Sequence, residues 1–350
     1  MGRLPVHLTI DVEAAEARRK GGRVVPPLGY ASRVWGRFEN QTEELGLKRL
    51  ARDLRARNLV GTFYVEALGA RYFGLEGLRG IVACLLEHGQ DVQLHLHPTQ
   101  RQPEALLRGE VPSSDDVGDY SRAEQAALLR EGLDILVEAG VPRANLVAFR
   151  AGNFGASNTT WDACRDAGLR LSSNYDPGYF EVSCAMRHER ARPDLFEPVA
   201  GFIELPISCV RTSTGRLRHL QITALSAREL VRSLEAMRAR NFAAATLVSH
   251  SFELYNIADP AGLRGFPSRV NEGRWGALLA FLESHAADYP TESALGLVRR
   301  LGDGPLRLEG APEVPRTALH HEVARLGEQL IKRVETRFPL LFQALPRSRA

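Results

Sequence analysis

Short apolar segments alternate with amphipathic segments along the first 250 residues. Runs rich in β-branched, leucine and aromatic residues predict strands, and they lie at 6–13, 59–66, 91–97, 146–150, 169–174, 202–208 and 246–250. Apolar residues at three- and four-residue spacing predict intervening helices at 41–57, 76–87, 121–139, 158–167 and 226–240. Strands that alternate with helices favour a parallel sheet, so we expect an α/β fold, an irregular (β/α) barrel of about seven strands.

The chain beyond the predicted barrel has a different pattern. We assign residues 1–300 to the barrel, including a helix at 271–288, and residues 301–350 to a linker and a C-terminal amphipathic helix. From Thr317 onwards, apolar residues recur at helical spacing with arginine and lysine on other faces. Such a stripe is typical of a face packed against the barrel or a second subunit, as in a homodimer, and this interpretation is favoured. The alternative is peripheral contact of residues 317–342 with an anionic membrane surface.

Composition excludes several classes of protein. The 350 residues include 45 basic and 42 acidic ones, and this balance does not suggest a nucleic-acid partner. The four cysteines are widely separated, which favours buried reduced thiols over disulfides or a CxxC metal site. Since neither a leader segment nor a run of 18 apolar residues is evident, we expect a cytoplasmic protein, with peripheral attachment at the inner membrane face as the alternative.

Ionisable side chains occur where the predicted strands end. In a (β/α) barrel the chemistry lies at the carboxyl ends of the strands, so these side chains are expected to share one rim. They are Asp11, Glu13, His95, His97, Arg150 and His250. Within Asp11-Val12-Glu13 and His95-Leu96-His97 the one-residue spacing directs both polar side chains to the same strand face, about 7 Å apart.

Two histidines and a carboxylate form a ligand set typical of hydrolytic metal sites, and Zn²⁺ suits it. A metal ion would also compensate the charge of the two carboxylates at the end of the first strand. Each residue also has a simpler interpretation. The histidine pair could be solvated, His250 could be a core histidine rather than a general acid, and Arg150 could form an ordinary ion pair with Asp11.

Five segments together resemble a known family. I-D-V-E at 10–13, G-T-F-Y-V at 61–65, H-L-H at 95–97, F-R-A-G-N at 149–153 and L-V-S-H at 247–250 resemble the polysaccharide deacetylases of carbohydrate esterase family 4, which have the NodB-homology fold. The resemblance covers about residues 4–255. It is closest to a subgroup with D-V-E and H-L-H-P motifs, associated with lipopolysaccharide and other cell-surface polysaccharide synthesis in bacteria.

The resemblance implies a role for each residue in the motifs. Asp11 corresponds to the general base, and Arg150 to the arginine that orients it. His250 corresponds to the acid that protonates the leaving amine. Glu13, His95 and His97 correspond to the metal ligands, and a backbone N–H at Asn153 or a neighbour corresponds to the oxyanion donor. If the metal instead bound Asp11, Glu13 would be the base.

The chain departs from the common form of three motifs. A valine separates the two carboxylates of the first motif, so its second carboxylate is Glu13 rather than an aspartate. Thr99 stands where the common second motif has its second histidine, which leaves His97 as the substitute ligand. The third motif continues with Ala151, Gly152 and Asn153 instead of proline and an aromatic residue.

Aromatic residues in Gly- and Pro-rich loops are candidates for sugar contact, and we expect this role for Trp35 and Tyr179. The function expected from residues and resemblance together is a metal-dependent hydrolase that removes an N-acetyl group from a sugar in cell-surface glycan or polysaccharide metabolism. Two alternatives stay open at this point. One is an amidohydrolase acting on a small cyclic amide or ureide, and the other is a catalytically inactive carbohydrate-binding barrel.

Overall fold

The computed structural model describes residues 2–180, 182–302, 304, 306 and 312–339, and strands and helices alternate along most of this chain. Its strands are β1 (Val6–Val12), β2 (Arg18–Lys20), β3 (Arg23–Val25), β4 (Gly61–Glu66), β5 (Asp91–Leu96), β6 (Ala148–Ala151), β7 (Leu171–Ser172), β8 (Phe196–Val199), β9 (Phe202–Glu204), β10 (Cys209–Arg211), β11 (Leu217–His219), β12 (Ala245–His250), β13 (Tyr255–Ile257) and β14 (Gly265–Pro267). Its α-helices are α1 (Leu47–Ala56), α2 (Ala70–Phe73), α3 (Leu75–Glu87), α4 (Arg122–Glu138), α5 (Asn158–Asp166), α6 (Ala227–Ala239), α7 (Arg269–Ser284), α8 (Ala294–Leu301) and α9 (Leu319–Arg337).

One curled sheet carries the seven predicted strands. Its order is β12-β1-β4-β5-β6-β7-β9-β8, and the neighbours are parallel except for β8, which runs antiparallel to β9 at the edge. All seven residues of β1, which lies between β12 and β4, are buried. This architecture confirms the α/β fold and the irregular (β/α) barrel.

The barrel is irregular because the outer edge of β12 is covered by residues 208–221, which form only isolated backbone contacts with it and carry the separate hairpin β10–β11. Val248 donates its backbone N–H to the carbonyl of Leu220 at 2.9 Å, and Ser208 donates to that of Thr246 at 3.2 Å. Gln221 also forms an isolated parallel bridge with Val248. The segment at 208–221 therefore takes the position that a further strand would have in a regular barrel.

The helices follow the apolar periodicity, with small shifts at their ends. The predicted start of the fourth helix is confirmed, because Ser121 caps α4 and forms a capping box with Glu124. The first predicted helix begins at Leu47 rather than 41, after Gly46 at its N-cap. The pattern of apolar residues did not predict the shorter elements, which are α2, α8, the edge strand β8 and the hairpins β2–β3, β10–β11 and β13–β14.

The four cysteines are buried and free, as expected from their spacing. Within the described residues, no helix combines the length and apolarity that crossing a membrane requires.

Helix α9 packs on the barrel with its charged face rather than its apolar face, while packing of the apolar face on a second subunit stays a prediction. Its apolar residues are exposed, whereas Glu322, Arg325 and Glu335 are buried against the barrel. The prediction that the apolar face packs on the barrel is therefore wrong. Residues 303, 305 and 307–311 of the predicted linker, and 340–350 at the C-terminus, lie outside the described residues, and the boundary at residue 300 stays a prediction.

Candidate active site

The register of the parallel strands brings the strand-end residues to one rim. Asp11 in β1 is the pairing partner of His250 in β12, and His95 in β5 is the partner of Arg150 in β6. Because parallel strands all point the same way, residues at their carboxyl ends open into the same space. That space is a pocket with a cavity volume of about 100 Å³, lined by Asp11, Glu13, His95, His97, Ala151, Asn153, Phe154, Tyr179, Gln221, Val248 and His250.

Glu13, His95 and His97 form a cluster on one side of this pocket. One ligand atom from each lies within 4.8 Å of the others. Oε2 of Glu13 is 3.2 Å from Nε2 of His95 and 2.7 Å from Nε2 of His97. Ligands of a tetrahedral zinc ion lie roughly 3.3 Å apart, given zinc–nitrogen distances of about 2.0 Å. The donor types and their spacing therefore fit one divalent metal ion.

The other nitrogen of each imidazole has a fixed partner. Nδ1 of His95 lies 2.9 Å from the carbonyl oxygen of Arg150, and Nδ1 of His97 lies 2.7 Å from Oδ2 of Asp115. Both partners are acceptors, so each Nδ1 carries a proton and donates it. Each Nε2 can then present its lone pair to a metal ion, which is the usual arrangement around metal-bound histidines.

The electrostatics of this cluster are those of closely coupled charges. Burial alone would raise the pKa of Glu13, but the charge of His97 and hydrogen bonds from both histidines hold that pKa well below its usual range. Burial would lower the pKa of His97, yet the charges of Glu13 and Asp115 raise it well above its usual value. For Asp115, the effect of burial is again outweighed by His97, and the pKa falls to about 2. Without a metal ion, the positive charge of protonated His97 compensates the negative charges of Glu13 and Asp115. A bound metal cation would take over this role of the proton.

Asp11 is held by a buried arginine on the other side of the pocket. The guanidinium of Arg150, which is fully buried, donates to Oδ1 of Asp11 at 2.8 Å and to the hydroxyl of Ser173 at 2.9 Å. It also stacks 4.3 Å from the ring of Tyr64. The second oxygen of Asp11 is 4.0 Å from Nε2 of His250. Asp11 thus presents one free carboxylate oxygen to the pocket.

His250 is anchored by a glutamate three residues later in the chain. Its Nδ1 donates to Oε1 of Glu253 at 2.8 Å, and Ser249 donates to the other oxygen of that carboxylate at 2.9 Å. Gln221 also donates to Glu253. Burial lowers the pKa of His250, but the hydrogen bond and charge of Glu253, with the charge of Asp11, raise it to about 9. The imidazole is therefore protonated at neutral pH, and its Nε2–H points into the pocket.

The three predicted substrate or oxyanion residues differ in placement. Asn153 lines the pocket in a left-handed conformation with φ +54°, and its side-chain amide donates to Asp115. Tyr179 also lines it, stacked 5.2 Å from the ring of His219. Trp35 is absent from the lining and is buried in the core, because the turn Ala31–Trp35 directs it towards α3. This placement does not support the expected contact of Trp35 with a substrate.

Three residues of the site were not singled out from the sequence. Asp115 belongs to an acidic pair in the long loop after His97, and such a pair is only a weak signal of a functional site. Glu253 follows His250 by three residues, and its carboxylate contacts the imidazole of His250. Arg33 comes from the long loop after β1, where its guanidinium lies 3.4 Å from Oε1 of Glu13 and 3.1 Å from the ring centre of Phe252. No local pattern marked Arg33.

No protein-family model matches the chain. No curated protein matches it either. Among solved structures, the 4-alpha-glucanotransferase from Thermococcus litoralis superposes with a TM-score of 0.52 at 9% identity, covering 99% of this chain and 48% of that one. The chain thus spans about half the length of that enzyme, and a likeness at this identity shows the fold alone.

Two further solved structures superpose with lower TM-scores. The Bc1960 peptidoglycan N-acetylglucosamine deacetylase has a TM-score of 0.40 at 11% identity, covering 82% of this chain and 85% of that one. The Xyl-CE4 domain of a multidomain xylanase from the hindgut metagenome of Trinervitermes trinervoides has 0.39 at 11%, covering 89% and 98%.

Proposed function

We propose that the pocket catalyses metal-dependent hydrolysis of an amide, removing an N-acetyl group from a sugar of a cell-surface glycan or polysaccharide. The observation that carries this proposal is the arrangement of three groups around one space. A carboxylate oxygen of Asp11 and Nε2 of His250 lie 4.0 Å apart, beside the cluster of Glu13, His95 and His97. A hydrolase needs a base, an acid and a means of polarising the carbonyl, and these groups provide each of them.

Glu13, His95 and His97 are the residues that would hold the metal ion. A divalent metal there, with Zn²⁺ the best fit to the donors, would polarise the amide carbonyl and acidify a water molecule. Asp11 and Arg150 have a separate task. Because Arg150 occupies one oxygen of Asp11, the other oxygen is oriented to take a proton from the attacking water.

His250 supplies the proton that the leaving nitrogen needs. An amide nitrogen leaves only after protonation, and the imidazole is already protonated at neutral pH and fixed by Glu253. The rings of Tyr179 and Phe154 line the same pocket, which supports a sugar as the group they face. A backbone N–H near Asn153 is proposed to stabilise the oxyanion.

Two measurements on the purified full chain test the proposal. Metal content is determined by elemental analysis, and acetate release is then followed on N-acetylated sugars, nucleotide sugars and lipid-linked saccharides. We expect near-stoichiometric metal and acetate release that a chelator abolishes. Metal with hydrolysis of cyclic amides or ureides only would favour the amidohydrolase alternative. Absence of metal and of turnover, with saccharide binding retained, would favour the inactive carbohydrate-binding barrel.

A further inference from the structure

Helix α9 faces the barrel with its charged side. Arg325, 5% exposed, donates from Nε to Glu229 at 3.1 Å, and Glu335, 2% exposed, accepts hydrogen bonds from Ser268 and from the backbone N–H of Arg269. Glu328 accepts from Arg274 at 2.8 Å. These contacts anchor the helix by specific polar pairs and leave its apolar side unused.

The opposite side of α9 is an exposed apolar stripe. The residues of this stripe are Leu319, Val323, Leu326, Leu330, Ile331, Val334 and Phe338, which are 46–64% exposed. In a water-soluble fold such a stripe normally turns towards the core, and contiguous exposed apolar surface marks an interaction site. The polar side is already occupied by the barrel, and no other part of the chain that the structure describes covers the stripe, so it is available to a surface outside the molecule.

The position of α9 relates the stripe to the pocket. Arg325 contacts Glu229 in the first turn of α6, and α6 begins shortly after Gln221, which lines the pocket. Glu335 contacts the first residue of α7, just after Ser268 donates its backbone N–H to Leu254, four residues beyond His250. Helix α9 therefore crosses the ends of α6 and α7 at the same end of the barrel as the pocket.

The charges beside the stripe indicate the kind of surface that covers it. All three carboxylates of α9, those of Glu322, Glu328 and Glu335, are engaged by the barrel or by neighbouring loops. Arg333 and Arg337 are exposed, and neither forms a salt bridge with another described residue. A second copy of the stripe would offer these arginines only α9 carboxylates that are already paired. An anionic lipid surface offers both apolar chains and negative headgroups.

We propose that α9 is an interfacial helix whose stripe lies in the surface of an anionic membrane, with Arg333 and Arg337 among the headgroups. Bound in this way, the protein turns the pocket end of the barrel towards the bilayer. The proposal concerns the surface of α9 and does not depend on the catalytic assignment.

Vesicle co-sedimentation of the full chain tests this directly. We expect binding to equimolar phosphatidylglycerol–phosphatidylcholine vesicles, weaker binding to phosphatidylcholine alone, and a decrease with added salt. Leu326→Glu combined with Leu330→Glu should lower the partition coefficient by about a hundredfold or more, since two leucines that would enter the bilayer are replaced by charges. Arg333→Gln with Arg337→Gln should lower it about thirtyfold.

The matched control is Leu86→Glu with Val137→Glu, which changes two apolar residues that are each 39% exposed and lie in the last turns of α3 and α4, at the end of the barrel opposite the pocket. It should bind as the unaltered chain does, and circular dichroism checks that every variant is folded. Failure of the unaltered chain to bind anionic vesicles would overturn the proposal, as would an equal loss in the control. A dimer in solution that the stripe variant dissociates, without vesicle binding, would assign the stripe to a second copy instead.

Discussion

The buried guanidinium of Arg150 lies 2.8 Å from one carboxylate oxygen of Asp11, and the other oxygen of Asp11 faces His250 at 4.0 Å. This asymmetry separates Asp11 from Glu13, two residues later, whose Oε2 is shared by two histidines. The two carboxylates of one strand end are therefore prepared for different tasks, and this difference can be tested.

Asp11→Asn and Glu13→Gln should have different effects on metal content. Without its base, Asp11→Asn should lose about a hundredfold or more in turnover and keep its metal. Glu13→Gln should lose most of the metal, because a neutral amide is a poor replacement for a ligand carboxylate. Elemental analysis and acetate release measured on the same preparations check this. If the two phenotypes were exchanged, Asp11 would be the ligand and Glu13 the base.

Asp115→Asn should weaken metal binding without abolishing turnover at saturating metal. The Asp115 carboxylate accepts the Nδ1 proton of His97 and so orients its Nε2, and losing such a partner typically costs 10–100-fold in metal affinity, which we take as the rough expectation. Chelator competition measures the affinity. Asp116→Asn is the matched control, since no hydrogen bond joins its carboxylate to a described histidine. Equal effects in the two variants would contradict the assignment.

Gly152→Ala should displace His97. A Cβ at this position would lie 2.4 Å from ring atoms of His97, which is closer than a carbon contact allows, so the ring has to move. We expect reduced metal content together with lower stability to urea. Gly273→Ala in α7 is the control, because its Cβ meets nothing within 4 Å and alanine favours a helix, so its stability should be unchanged or higher. Retention of full metal affinity in Gly152→Ala would show that His97 is not a ligand.

The metal-free protein should lose stability as pH rises from neutral to alkaline because of His250. Its pKa is raised to about 9 in the folded protein, against about 6.5 when unfolded, so the folded state holds an extra proton between these values. This contribution is fully present below pH 6.5 or so and is lost as pH rises through about 9. Urea unfolding at several pH values measures it. Glu253→Gln removes the main partner and should flatten this dependence, as should His250→Gln. An unchanged slope in both would contradict the ion pair.

The position of the chemistry could be predicted from sequence because the parallel sheet imposes it. Apolar strands at regular intervals indicate a buried parallel sheet, and residues that end such strands share one rim whatever the loops do. Asp11, Glu13, His95, His97, Arg150 and His250 were named in this way, and the structure brings them around one pocket, with Arg150 behind it. Their roles stay predictions.

The partners of these residues depended on tertiary structure. Asp115, Glu253 and Arg33 reach the site from loops, where no periodicity constrains the direction of a side chain. Trp35 is the opposite case, because we expected it to reach the site from a loop, whereas that loop folds inwards and buries its side chain.

Helix α9 shows most clearly which properties the sequence determines and which the tertiary structure decides. Its sequence determined that one face is apolar and the other charged, because a helical period of 3.6 residues sorts side chains by position. Which face meets the barrel was decided by the partners available there, namely Glu229, Arg274 and the start of α7. The helical periodicity of the sequence indicates that the two faces of α9 differ, but only the packed structure determines which face is covered.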